Sequence, residues 1–254
     1  MIIVKIGGSV LSNKRKEFSF RGDVVKRIAY EISRFYPEEK FIVVHGGGSF
    51  GHPLARKFRI REGLKGYGSR HGFIVTHLAM LELASKVTKC FLENTLPAFP
   101  ISSSSIFVTK EGKIVASSLL TVKEALSKDF IPLLFGDVSF DTSKGIEIVS
   151  GDEIILHLAK EFRPEKVIFL MDVDGIYDRF PGGKLIERLT SKEIESMSLS
   201  GSSGIDVTGG IKKKLEVARE LVRYTNEVWF VNGLVKDRLS MAIVGNGIGT
   251  VVQS

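Results

Sequence analysis

Three glycines bounded by two histidines, His45-Gly46-Gly47-Gly48-Ser49-Phe50-Gly51-His52, directly follow the apolar run Phe41-Ile42-Val43-Val44. Glycines at a strand end let the backbone approach a ligand and aim several N–H groups at one point, a geometry that an oxyanion rewards. The segment reads as a phosphate cradle with an imidazole, His52, at its rim. A second glycine turn, Gly7-Gly8-Ser9, closes the strand-like run Met1–Ile6, whose one charged side chain is Lys5, and Lys14 follows a few residues later. Lysines at the mouth of a glycine loop are placed to neutralise phosphate oxygens. The spacing is that of neither the P-loop nor the dinucleotide fingerprint. Either loop alone is equally well a plain strand-end turn, and two of them after separate strands favour the phosphate reading.

Three further sites lie in the second half. Ser150-Gly151-Asp152 leads into the helical pattern Glu153–Lys160, so Asp152 stands at a helix start, where capping alone would explain it. The sharper reading is a carboxylate that holds active-site lysines in place. Asp172-Val173-Asp174-Gly175-Ile176-Tyr177-Asp178 follows a strand ending at Leu170-Met171. Ligands of open α/β sheets bind at such carboxyl ends, although a solvated Asp-Gly turn has the same composition. Thr208-Gly209-Gly210-Ile211 opens a helix to about Tyr224 with Lys214 in its first turn, and a helix N-terminus with a lysine is again phosphate chemistry.

The elements that position these sites alternate. A strand at Met1–Ile6, a helix over about Arg21–Phe35, and strands at Lys40–Val44, Ala98–Ile101, Ile131–Phe135, Lys166–Leu170 and Glu227–Val231 predict parallel βαβ units with helices on both faces of a central sheet. A hairpin is expected over Ser139–Val149, turning at Ser143-Lys144-Gly145. With 254 residues the chain fits one large α/β domain. Gly151 is the expected boundary between an N-terminal lobe, 1–150, and a C-terminal lobe, 151–254.

Composition narrows the partners. The net charge of +7 is spread along the chain without an aromatic-plus-basic RNA motif, so polyanionic small molecules are expected rather than nucleic acid. No apolar stretch has the length of a membrane span, and the single Cys90 cannot form an internal disulfide. A cytoplasmic protein is expected. From Gly72 to Glu82 the only polar side chains are Thr76, His77 and Glu82, so this helix cannot show a full side to water. Core or dimer burial explains it most simply. A ligand wall built from Ile74, Val75, Leu78 and Ala79 is the sharper alternative.

Taken in order, Lys5-x-Gly-Gly-Ser9, Gly46–Gly48, Asp152 at a helix start, Asp172-Val-Asp-Gly175 and Gly209-Gly210-Ile-Lys-Lys-Lys214 resemble the amino acid kinase family, the group of acetylglutamate, aspartate, glutamate and uridylate kinases. The matching elements span nearly the whole chain. The resemblance implies a three-layer αβα sandwich with a mostly parallel sheet and phosphoryl transfer from ATP with Mg²⁺ held mainly by the ATP phosphates. It also implies an acceptor-binding N-terminal lobe and a nucleotide-binding C-terminal lobe.

The two-histidine segment with Lys14 is similar to the branch of that family whose acceptor is isopentenyl phosphate. Carried over residue by residue, the likeness gives Lys5, Lys14, His52, Asp152 and Lys214 catalytic roles, with Lys5, Lys14 and Lys214 on the transferred phosphoryl group. It places Lys5, Gly7, Gly8, Ser9, Gly48, Asp172, Asp174, Tyr177, Gly210 and Lys214 around ATP. It places Gly46, Gly47, His52, Ser150 and Gly151 around the acceptor phosphate, with the apolar helix at the tail. A homodimer is expected. A phosphonate acceptor of the fosfomycin type, a uridylate-type kinase and a non-catalytic nucleotide-binding regulator stay open at this point.

Overall fold

Ile2–Ile6 form a strand with all five residues buried, which requires cover on both faces. Side chains alternate along it. Ile2, Val4 and Ile6 enter one apolar core, and Ile3 enters the other, so Lys5 faces the second core from within a buried strand. The computed structural model describes residues 1–13, 16–179, 182–200 and 209–254.

The chain begins β1 (Ile2–Ile6), α1 (Gly8–Leu11), α2 (Gly22–Ser33), β2 (Phe41–His45), α3 (Gly48–Lys57), a 3₁₀ turn (Ile60–Glu62), α4 (Tyr67–Leu92) and β3 (Ala98–Pro100). It continues α5 (Ser103–Ile106), β4 (Phe107–Lys110), β5 (Lys113–Ser117), α6 (Leu120–Ser127), β6 (Ile131–Phe135), β7 (Asp137–Asp141), β8 (Gly145–Val149) and α7 (Gly151–Phe162). It ends β9 (Lys166–Met171), β10 (Arg188–Thr190), α8 (Ser191–Ser200), α9 (Gly209–Leu221), β11 (Glu227–Asn232), α10 (Arg238–Ile243) and β12 (Gly249–Gln253).

Eight strands form one sheet in the order β10-β12-β11-β9-β1-β2-β6-β3. Its pairs are parallel except β11 with β12. Strands that precede residue 151 fill one half and strands that follow it fill the other. They meet at β1, which pairs with β2 on one side and β9 on the other. Such a reversal of strand order opens a crevice at the carboxyl ends of the strands. One core packs α2, α4 and α10 against the sheet and the other packs α6, α7 and α9, which makes three layers. The expected α/β class and sandwich are therefore what forms.

The expected hairpin is β7–β8, but it belongs to a second, four-stranded sheet in the order β5-β4-β7-β8. Sequence reading missed β4 and β5 because their apolar runs, Phe107-Val108 and Ile114-Val115-Ala116, are short, and β5 is almost wholly exposed. Its strand state comes from pairing with β4. The apolar segment 72–82 is part of the 26-residue α4. Phe73, Thr76, Met80, Leu83, Ala84 and Val87 make its buried stripe, and Cys90 packs into the same core.

Candidate active site

A lysine inside a buried strand needs an anion, and the helix covering that face brings one. Asp152 is the second residue of α7. Its Oδ1 accepts a hydrogen bond from Lys5 Nζ, and its Oδ2 lies 3.8 Å from Lys214 Nζ in the first half of α9. The helix cap is made by Ser150, whose hydroxyl accepts from Glu153 N at 3.2 Å, so capping does not account for Asp152. Burial alone would raise the Asp152 carboxyl, but the charges of Lys5 and Lys214 and the Lys5 hydrogen bond outweigh it and hold the group at about 2. Gly151 makes room for this pairing, since a Cβ there would stand 3.3 Å from Lys5 Cε.

The strand ends are stapled to one another by the residues that follow them. Gly7 N donates to Leu170 O at 3.0 Å, Gly46 N to Ile6 O at 3.0 Å, and Gly136 N to His45 O at 3.0 Å. The two glycine loops also touch. A Cβ at Gly8 would come within 2.7 Å of Gly48 N, and Gly48 itself has φ +49°. Ser12 ties them further, accepting from Ser49 N at 2.8 Å and donating to Gly8 O at 2.8 Å. Two loops distant in sequence thus become one backbone floor.

The two histidines separate. His52, on α3, lines the cavity above this floor. His45, at the end of β2, is fully buried, stacks on Phe135 at 5.3 Å and has Nδ1 3.1 Å from Gly46 O. Burial pushes its pKa down to about 4, partly opposed by the Gly46 carbonyl, so it is a neutral core residue.

A cavity of about 1020 Å³ joins the sites. Lys5, Gly7, Gly8, Ser9, Gly46, Gly47, His52, Ser150, Gly151, Asp152, Asp172, Tyr177 and Lys214 all line it. Gly48 does not, because it is spent on the contact with Gly8 and Ser12. Asp174 does not either. Its carboxylate accepts from Asn232 Nδ2 at 3.1 Å and from the Tyr177 hydroxyl at 3.3 Å, fastening the loop. Gly210 lies in the first turn of α9. Lys14 lies outside the described residues.

The apolar-helix expectation needs correction. Ile74 and Leu78 are 53% and 57% exposed, Val75 is half-buried, Ala79 is buried, and none of the four lines the cavity. They fall on the wrong sides of a helix whose cavity-facing residues are Thr76 and Met80. The apolar wall is instead Ala55, Met80, Val138, Ile148 and Val149, with Arg56, Arg59 and Arg61 at its mouth. Gly136 and Asp137 also line it. They follow β6 as Gly46 follows β2, and that repeated strand-then-glycine signal was legible. Asp137 Oδ2 accepts from Ser104 Oγ at 2.7 Å and pairs with His77 Nδ1 at 2.7 Å, a hydrogen bond that raises the His77 pKa.

A phosphate ligand fits this floor, since the Lys5 and Lys214 ammonium groups and the His52 imidazole line the same cavity as the two glycine loops. A cage for a divalent cation does not form among the described residues, which hold no cluster of three His, Cys, Asp or Glu side chains placed for a metal. Asp152 is engaged by two lysines.

An αβα sandwich with paired lysines over glycine loops at its switch point is built to receive phosphate groups. The amino acid kinase family model matches residues 1–232, and the chain belongs to that family. It is 33% identical over 263 residues to the isopentenyl phosphate kinase of Methanocaldococcus jannaschii, with 99% of this chain and 98% of that one covered. The isopentenyl phosphate kinase of Methanothermobacter thermautotrophicus is 31% identical over 259 residues, with 98% and 97% covered. A solved product complex of the Thermoplasma acidophilum isopentenyl phosphate kinase aligns at TM-score 0.84 and 28% identity over 100% of both chains.

Proposed function

We propose that this protein transfers the γ-phosphoryl group of ATP to isopentenyl phosphate, yielding isopentenyl diphosphate and ADP. One observation carries the reading: a single cavity is lined both by the Asp152-anchored lysine pair, His52 and the glycine loops and by the apolar side chains of Met80, Val138, Ile148 and Val149. The relatives' shared activity supports the same acceptor.

A phosphate monoester has a second pKa of about 6, so at neutral pH the acceptor is largely a dianion and already a nucleophile. The reaction needs no general base; it needs two anions held in line and charge to offset them. Lys5 and Lys214 supply that charge with the loop amides, and His52 donates to the acceptor phosphate. Residues 1–150 chiefly supply the acceptor site and residues 151–254 the nucleotide site, with Asp172 and Tyr177 beside the nucleotide. Mg²⁺, when bound, offsets charge on the ATP phosphates, and phosphate oxygens and water would supply its ligands. The stripe Ile74, Leu78 and Leu81, exposed on one side of α4, supports burial against a second copy of the chain.

ADP release with isopentenyl phosphate, a short alkyl phosphate, a phosphonate, uridylate and acetylglutamate tests the acceptor. Turnover with isopentenyl phosphate at least tenfold above the others is expected. Preference for uridylate or the phosphonate would reassign it, and ATP binding without turnover on any acceptor would make the protein a regulator.

A further inference from the structure

Asp152 faces the ammonium groups of both Lys5 and Lys214. An uncharged aromatic surface lies beside the same two groups. Phe169, on β9, is the direct register partner of Lys5 on β1. Lys5 Nζ lies 5.5 Å and Lys214 Nζ 5.8 Å from the centroid of its ring. Both distances are within the reach of a cation–π attraction, about 6 Å.

The ring is itself held. Phe169 is 1% exposed, and it stacks on Phe230, its register partner on β11, with centroids 5.0 Å apart and planes at 24°. It also lines the cavity beside Asp152 and Lys214. Three neighbouring parallel strands thus set Lys5, Phe169 and Phe230 side by side on the sheet face covered by α7 and α9.

We infer that Phe169 is a positioning residue for phosphoryl transfer: its uncharged ring, together with the Asp152 carboxylate, holds the Lys5 and Lys214 ammonium groups at the site. The inference rests on the proposed role of these two lysines. An aliphatic side chain of the same bulk would fill the core equally well, but it has no quadrupole to attract the two ammonium groups.

Fluorination of the ring tests this with little change of shape. Site-specific replacement of Phe169 in the full chain by 4-fluoro-, 3,5-difluoro- and 3,4,5-trifluorophenylalanine weakens the ring quadrupole stepwise. We expect kcat to fall stepwise by roughly three- to tenfold across the series, with the ATP dissociation constant changing less than twofold and Tm constant. Phe169→Leu should lose at least as much. A flat kcat, or a fall in kcat that merely tracks a fall in Tm, overturns the inference. Lys5→Met and Lys214→Met, assayed alongside, separate the two readings: full activity in those variants removes the role assigned to the lysines, whereas inactive lysine variants with a flat fluorine series remove only Phe169.

Discussion

Lys5 and Asp152 are 147 positions apart in the chain, yet the ammonium of one donates to the carboxylate of the other inside the crevice at the strand ends. Lys214 meets the same carboxylate from a third element. Asp152→Asn removes the shared anion and leaves two partly buried ammonium groups to repel each other. Steady-state assays should show kcat down by roughly 10²-fold or more, the scale of losing a preorganised electrostatic element. A loss under threefold would mean that the lysines are positioned by other means.

Lys214 should act on the transition state more than on bound ATP, because charge on the moving phosphoryl group redistributes during transfer. Lys214→Met is expected to lower kcat and kcat/KM together, with a smaller change in the ATP dissociation constant. Calorimetric titration of ATP into the variant checks it, and binding that falls as far as turnover would make Lys214 a binding group only.

The two histidines should separate functionally as they do spatially. His52→Ala is expected to lower kcat by roughly 10²-fold, and His52→Gln to retain part of the rate by replacing the donor. His45→Ala should lower Tm at once, because it empties a fully buried site stacked on Phe135. Equal losses in His52→Ala and His52→Gln would remove the donor role.

Acid should weaken the fold partly through His45. Its folded pKa, about 4, lies below the ordinary value of 6.5, so the unfolded chain takes up a proton that the folded chain refuses. That contribution is fully present above pH 6.5 and is lost as pH falls towards 4. The full shift corresponds to about 3 kcal/mol. His77 has the opposite sign. Its pKa is raised by Asp137, so its contribution is present below its unfolded value and is lost as pH rises through the folded one. Urea midpoints at pH 7, 5.5 and 4.5 should fall less steeply for His45→Phe than for the parent, and parallel curves would contradict the assignment.

Selection of the prenyl tail should lie with Met80, Val138 and Ile148 rather than with the outer side of α4. Each buried methylene contributes about 0.8 kcal/mol, enough to favour a five-carbon tail without sharply rejecting similar ones. Val138→Ala and Ile148→Ala should raise kcat/KM for ten- and fifteen-carbon monophosphates relative to isopentenyl phosphate. Ile74→Ala and Leu78→Ala should leave that ratio unchanged. A ratio that moved only in the α4 variants would restore the earlier expectation.

Local chemistry was written in the sequence wherever neighbours along the chain decide it. The run Ile2–Ile6 had to be a buried strand because five such residues cannot face water, and Gly7, Gly46 and Gly136 mark strand ends because the backbone must turn there. Ser150-Gly151-Asp152 announced a helix start for the same reason. Tertiary structure decided what residues far apart share. That Ser150 rather than Asp152 caps α7 depends on which side chain Lys5 and Lys214 engage. The four-stranded sheet depends on pairing of the exposed β5, whose own apolar run is only Ile114–Ala116. Nor can an apolar segment say which of its sides a 26-residue helix turns inward, so Thr76 and Met80 reach the cavity where Ile74 and Leu78 were expected. Phe169 looked like one more core residue of a buried strand until the register placed it beside Lys5 and the fold laid Lys214 over its ring.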